Sequence, residues 1–294
     1  MGREGEGPGE FARLYSLAWM GDTLAALDPR NARISLLARD GTPLGQFRHQ
    51  ALTGDIRFIR LFQTGPRSIA TPSILPVDGS IVRQFVRLRS GGVSDTVPYP
   101  PDPHESEGTR GGSIRCDYPN DSGIAFFDLP FAPRYLAVPA PGGLTATART
   151  DEYRIQLLSA AGDTVRVVER AHDPVPTTVE AWEEGLAPFH RLKEESPGAE
   201  CSPDDPARPD HRPPVNLFFF DILGRMWVEA ETEAGRVWDV FDREGRHLGT
   251  VAAPPRRESN VPWADAERLY VVATDELDVP YVRVYALPPE LRED

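Results

Sequence analysis

Lysine is almost missing from this chain: Lys193 stands alone against 31 arginines in 294 residues. Guanidinium chemistry is not required at every exposed position, so the skew reads as codon bias and implies no function. Cysteine is as scarce, with only Cys116 and Cys201, which leaves no Cys/His spacing able to hold zinc. Positive charge is in deficit, 32 basic against 45 acidic side chains and a formal charge of -13. Counterion release therefore drives no association, and nucleic acid and anionic membrane surfaces are excluded as default partners. No apolar run approaches the roughly 18–20 residues that span a bilayer. Met1 to Gly7 does not read as a signal peptide, and the chain as given is expected to be soluble. A Gly-x-Ser-x-Gly phrase and a phosphate-cradling Gly-x-x-x-x-Gly-Lys phrase are both lacking.

Proline and glycine, in contrast, are plentiful at 30 and 25 residues and scattered throughout, which suits many short strands separated by turns. One phrase recurs: a small-residue turn, two apolar strands, an Asp-Gly or Gly-Asp turn (Glu-Gly in one copy), and a further strand. It runs Gly21–Asp28, Ala32–Leu37, Asp40-Gly41, Leu44–Phe47; again Gly143–Ala148, Tyr153–Leu158, Gly162-Asp163, Val165–Val168; and most clearly Gly224–Val228, Val237–Phe241, Glu244-Gly245, Leu248–Val251. A fourth copy, Arg268–Val272 with Tyr281–Tyr285, stops before its last strand. Ile34, Ile155, Trp238 and Val282 are the equivalent middle positions, separated by 121, 83 and 44 residues. Those are three, two and one units of about 40–45 residues, the length of a four-stranded propeller blade. Ser80–Val82 after Asp78-Gly79, with Phe85–Leu88, reads as a second blade, and Gly123–Leu129 as an outer strand of a degenerate one. The expected fold is all-β, a single propeller domain over 1–294; a β-sandwich is the competing architecture.

Gly2–Phe11, Leu17-Ala18-Trp19, Asp28, Asn31, Arg33-Ile34 and Asp40-Gly41, with later echoes at Pro130–Arg134 and Asp242–Arg246, resemble an NHL-repeat protein. They are especially similar to bacterial six-bladed β-propeller proteins that begin with a glycine-rich turn ending in Gly-Glu-Phe. The resemblance implies six blades, where periodicity alone allows five to seven. It also makes Gly2–Gly9 an inter-blade link with no outer strand before it, so the ring is expected to lack its closing strand. The chain then reads as a truncation or fragment of a longer precursor, exported in this family to the periplasm or as a lipoprotein.

The segment 172–213 breaks the repeat. A helix is expected from Thr178 to about Lys193, capped by Thr177 or Thr178, followed by a mobile Pro/Asp-rich loop, the whole lying over one face of the propeller. Gly5-Glu6-Gly7-Pro8 also resembles the opening of metal-dependent, lactonase-like (SMP-30-type) six-bladed propellers, in which the Glu is a metal ligand. That resemblance implies a divalent cation such as calcium, with Glu6, Glu10, Asn216 and Asn260 as candidate ligands; Asp275 follows another inner strand. Asp204, Asp205, Asp210 and His211 read as a solvated acidic group. Cys116 and Cys201 could staple the insertion to the degenerate blade in an oxidising compartment or remain free thiols. Asn120-Asp121-Ser122 matches a glycosylation sequon of the kind expected by chance. Trp19, Trp227, Trp238, Tyr270, Tyr281 and Tyr285 read as residues buried between blades, with a ligand-binding face as the other option. The expectation is a monomeric, cofactor-free binding scaffold presenting rim loops and a central channel to a protein, peptide or glycan. A metal-dependent hydrolase is the alternative.

Overall fold

The computed structural model describes residues 3–48, 60–65, 67–77, 80–89, 92–102, 112–119, 123–257 and 260–292. The Asn120 sequon, Asp78-Gly79, His49 and His104 lie outside them. Short apolar runs between turn residues become strands, and each run of four folds back on its predecessor. The first sheet contains β1 (Ser16–Met20), β2 (Thr23–Asp28), β3 (Arg33–Leu37) and β4 (Pro43–Arg48), hydrogen-bonded in chain order. Its first hairpin closes over Gly21-Asp22 between the paired residues Met20 and Thr23, and Gly21 sits at a φ of 66°, open to glycine at little cost.

Sheet two has the same order in β5 (Phe62–Gly65), β6 (Ser68–Val77), β7 (Ser80–Arg89) and β8 (Gly92–Pro98). Here the sequence reading needs correction, because Ile81–Leu88 is one continuous strand. Arg83 and Gln84, which read as a break, continue β7 in its pairing with β6. Sheet three joins β9 (Ser113–Asp117) and β10 (Ile124–Asp128) to a short strand from far along the chain, β15 (Glu200–Ser202). Sheet four comprises β11 (Tyr135–Pro139), β12 (Thr145–Arg149), β13 (Arg154–Leu158) and β14 (Thr164–Glu169). Sheet five comprises β16 (Val215–Phe220), β17 (Met226–Ala230), β18 (Val237–Phe241) and β19 (His247–Ala252). Sheet six has three strands, β20 (Trp263–Ala264), β21 (Arg268–Thr274) and β22 (Pro280–Ala286). Ile34, Ile155, Trp238 and Val282 all fall on third strands, so the repeat unit of the sequence is the sheet. Among the described residues six antiparallel sheets, in chain order apart from β15, form a propeller-like fold.

Apolar faces of successive sheets pack together. Leu27, Ile34 and Leu36 of sheet one meet Ile69, Val86 and Leu88 of sheet two. Ala146, Ile155 and Leu157 of sheet four meet Val228 and Phe241 of sheet five. Between sheets five and six, Trp227 and Trp238 are completely buried with Phe219, its ring stacked on Trp227 at 5.9 Å and edge-on to Trp238 at 5.4 Å. Each indole removed from water contributes on the order of 3 kcal/mol or more. Sheet six differs at its rim. Where β3 is buried along its whole length beneath β4, Val282 and Val284 of β22 are 62% and 52% exposed, and among the described residues no fourth strand pairs with β22.

The glycine-rich start is held by a buried ion pair. Arg33, 1% exposed, donates to the carbonyls of Glu6 and Glu10, and its charge faces Asp28 at 4.0 Å. Asp28 accepts the backbone N–H groups of Ala12 and Arg13 and the Asn31 amide. Gly9, at a φ of 75°, supplies the bend. The scattered residues that carried the resemblance, Glu6, Glu10, Asp28, Asn31 and Arg33, are thus one hydrogen-bonded unit.

The segment between β14 and β16 is the larger correction. Its helix, α1 (Val179–Glu195), begins as expected, with the Thr178 side chain accepting from the Ala181 N–H. The stretch beyond it is not a free loop over a propeller face. β15 pairs with β9, placing Cys201 opposite Cys116, and the two are joined in a disulfide. Trp182, Leu186, Phe189 and Leu192 form one side of α1 and pack with Ile114, Cys116 and Phe127. A lone β9–β10 hairpin buries too little to stand by itself; the insertion supplies both the third strand and the apolar cover. Among the described residues no helix is long and apolar enough to cross a membrane.

Candidate functional site

The first hairpin turn of sheet five, Asp221–Arg225, is anchored by a buried carboxylate. Asp221 is almost fully buried and accepts from the Leu223 and Arg225 N–H groups, the Arg225 guanidinium and the Trp227 indole. Burial still pushes its carboxyl above the ordinary range, despite Arg225 and Trp227. Arg225 also reaches the carbonyls of Asp265 and Leu291, tying the turn to sheet six. This frame holds Ile222 and Leu223 at the floor of an open groove.

The groove is built by four sheets. A cavity of about 670 Å³ is lined by Trp19 and Gly21 from sheet one, Gln63 from sheet two, Ile222 and Leu223 from sheet five, and Trp263 from sheet six, with Arg39 at its edge. The Trp263 indole N–H donates to the Gln63 side-chain oxygen at 3.3 Å across 200 residues of sequence. Its ring also lies 5.0 Å from that of Tyr270, whose hydroxyl donates to Asp265. Arg39 stands 6.0 Å above the Trp19 ring and pairs with Asp22 at 2.8 Å. A second cavity of about 560 Å³ shares Ile222 and Leu223 and runs on past Thr64, Ser68 and Phe220 to Arg243. Indole faces, aliphatic side chains, one cation and one amide offer apolar burial with a few orienting polar contacts, as small-ligand and peptide sites do.

The residues picked out in the sequence are placed elsewhere. Glu6 contributes its backbone carbonyl to Arg33. The Glu10 carboxylate accepts from Gly7 at 2.9 Å and from Arg3, contacts that hold it below the ordinary carboxylate range. Asn216 donates to Glu231, which Arg212 and Arg236 also engage, while the Asn260 carbonyl accepts from Arg256. Among the described residues no three His, Cys, Asp or Glu side chains gather as a metal site. Asp275 caps its own turn through the Leu277 and Val279 N–H groups. Trp227 and Trp238 are core residues, as the pattern implied. Trp19 instead lines the groove, and Trp263 was missed because a two-residue strand carries no periodic signal.

A second polar cluster ties sheet four to sheet five. Asp239, buried on β18, accepts from Tyr153 at 2.7 Å and from Arg170 and Thr250, with His247 at 3.3 Å. Burial raises its carboxyl, but the Thr250 and Tyr153 hydroxyls and the Arg170 charge outweigh that, leaving it below the ordinary range. Desolvation pushes the Tyr153 phenol strongly upward and the nearby His172 imidazole downward. The cluster is a lock between sheets.

No family model matches the sequence, and no curated protein does. Among solved structures, a member of the duf4221 family from Bacteroides vulgatus is similar over 96% of this chain and 81% of its own, at 11% identity and a TM-score of 0.43. A putative exported protein from Bacteroides fragilis matches over 92% and 69%, at 11% identity and 0.41. Regucalcin, a calcium-binding protein from Agrobacterium tumefaciens, matches over 91% and 84%, at 12% identity and 0.29. At these scores the likeness assigns neither family nor function.

Proposed function

We propose that the chain is an NHL-like, six-bladed β-propeller that works as a non-enzymatic binding scaffold, each sheet being one blade. In this reading the groove takes an apolar or aromatic segment of a protein or peptide ligand. The observation that carries it is the convergence of Trp19, Trp263, Ile222 and Leu223 from three different sheets on one open groove. The Cys116–Cys201 bond supports residence in an oxidising compartment, consistent with an exported precursor.

The test is selection from a random peptide library against the purified protein, followed by calorimetry. Selected peptides should bind Trp19→Ala and Trp263→Ala at least ten-fold more weakly, about 1.4 kcal/mol for each indole. Equal affinity for both variants refutes the groove. Thermal unfolding with added Ca²⁺, Mg²⁺, Mn²⁺ or Zn²⁺ tests the metal-dependent alternative: saturation at a hundred times Kd stabilises by about 2.7 kcal/mol. A scaffold shows no such shift, whereas a shift abolished by Glu6→Ala overturns the reading in favour of an enzyme.

A further inference from the structure

Side chains alternate across a strand, so the two faces of sheet four can be read directly from its residues. One face, Ala146, Ala148, Ile155 and Leu157, is apolar and packs on sheet five. The opposite face carries Tyr135, Thr145, Thr147, Arg149, Arg154 and Gln156. Sheet five, by comparison, is apolar on both sides, with Val228 and Phe241 towards sheet four and Trp227 and Trp238 towards sheet six. The polar face of sheet four is not spread out to solvent either. Thr145 and Thr147 are 2% and 5% exposed, and both line a cleft of about 460 Å³ together with Tyr99, Tyr135 and Gln156. Tyr99, on the segment leaving sheet two, meets Tyr135 edge-on at 6.5 Å.

The arginines of this cleft are already matched, and the other charge on its lining is the Glu152 carboxylate. Arg149 pairs with Asp151 at 3.2 Å and with Asp102 at 3.7 Å, and Arg154 pairs with Glu169. An anionic ligand would have to compete for them. Beyond these three charges the lining offers neutral hydrogen-bonding capacity. The half-buried Gln156 amide and the buried Thr145 hydroxyl both face this lining. The Tyr135 phenol, pushed up to about 12 by burial, keeps its proton and meets Thr147. Hydroxyls and an amide both donate and accept, two aromatic rings stand beside them, and the volume lies in the range of small-molecule pockets, about 300–1,000 Å³.

We propose that this cleft binds a small neutral polyhydroxylated ligand of mono- or disaccharide size, oriented by Thr145, Thr147 and Gln156 and flanked by Tyr99 and Tyr135. Hydroxyl groups of such a ligand hydrogen-bond these side chains in place of water, whereas an apolar ligand would displace that water and leave them unpaired. The site is separate from the groove lined by Trp19 and Trp263 and does not depend on its occupant.

The experiment is saturation-transfer NMR and calorimetry on the intact protein with D-glucose, D-galactose, maltose and myo-inositol, each titrated to tens of millimolar. At least one should bind saturably, and Gln156→Leu and Thr147→Val should each weaken it by about ten-fold, while Trp263→Ala leaves it unchanged. Glucose 6-phosphate should bind no better than glucose. If Gln156→Leu fails to fold, the near-isosteric Thr145→Val provides the same reading. Failure of all four probes leaves a cleft that holds only water and overturns the proposal. So does a sugar affinity that responds to Trp263 but not to Gln156, or a clear preference for the phosphate ester.

Discussion

Removing both cysteines, as Cys116→Ala with Cys201→Ala, tests the joint between the insertion and sheet three. The bond closes a loop of 85 residues. In the chain-entropy account a loop of that length loses about 15 cal/mol/K in the unfolded state, about 4.6 kcal/mol at 25 °C. With roughly 2–4 °C per kcal/mol for a large domain, the midpoint should fall by about 9–18 °C if the chain melts as one unit. If the insertion opens first, the loss concentrates in α1, whose Trp182, Leu186, Phe189 and Leu192 would then be its main hold on β9 and β10. Calorimetry separates these outcomes, and hydrogen exchange should show α1 amides losing up to about three decades of protection, 4.6 kcal/mol at 1.4 per decade. Peptide mapping without reductant should recover Cys116 linked to Cys201. Two thiols that alkylate in the native protein, or a midpoint within about 2 °C of the parent with α1 protection unchanged, would refute the reasoning.

Replacing Arg33 by Met should cost about 3–5 kcal/mol, because Asp28 stays buried at 0% exposure without its charge partner; chemical denaturation measures this, and a loss under about 1 kcal/mol counts against it. Asp239 has a depressed folded pKa, so its stabilising contribution is full above the unfolded carboxylate value near 3.9 and disappears as pH falls through the folded value. Asp239→Asn should therefore be less stable than the parent at pH 7, with the gap narrowing towards pH 3 in thermal melts; a gap constant with pH contradicts the assignment.

Much of the fold was legible in the chain. The third-strand positions Ile34, Ile155, Trp238 and Val282 were found from period alone, because each lies in a run of apolar residues flanked by turn signals. The Thr178 cap was legible for a similar reason, since capping is local chemistry. Sheet three was not. β15 has three residues and its partner β9 lies 85 positions away at the cysteine pair, and no local pattern records a pairing over that distance. The groove was not legible, since Trp19 read as a residue buried between blades, with a ligand-binding face as the other option. Trp263, Gln63, Ile222 and Leu223 sit at strand ends and turns, where periodicity stops and position depends on neighbouring sheets.

By itself the sequence determined the repeat, the mostly β character and the glycine-rich link with its Asp28, Asn31 and Arg33. These are properties of residues within about one blade of each other, where alternation and turn chemistry act. Tertiary structure alone decided that Cys116 meets Cys201, that the insertion completes a sheet, that Asp239 locks two sheets, and that Trp19 and Trp263 share a groove. Those contacts join residues 69 to 244 positions apart, and only packing whole sheets against one another brings them within reach.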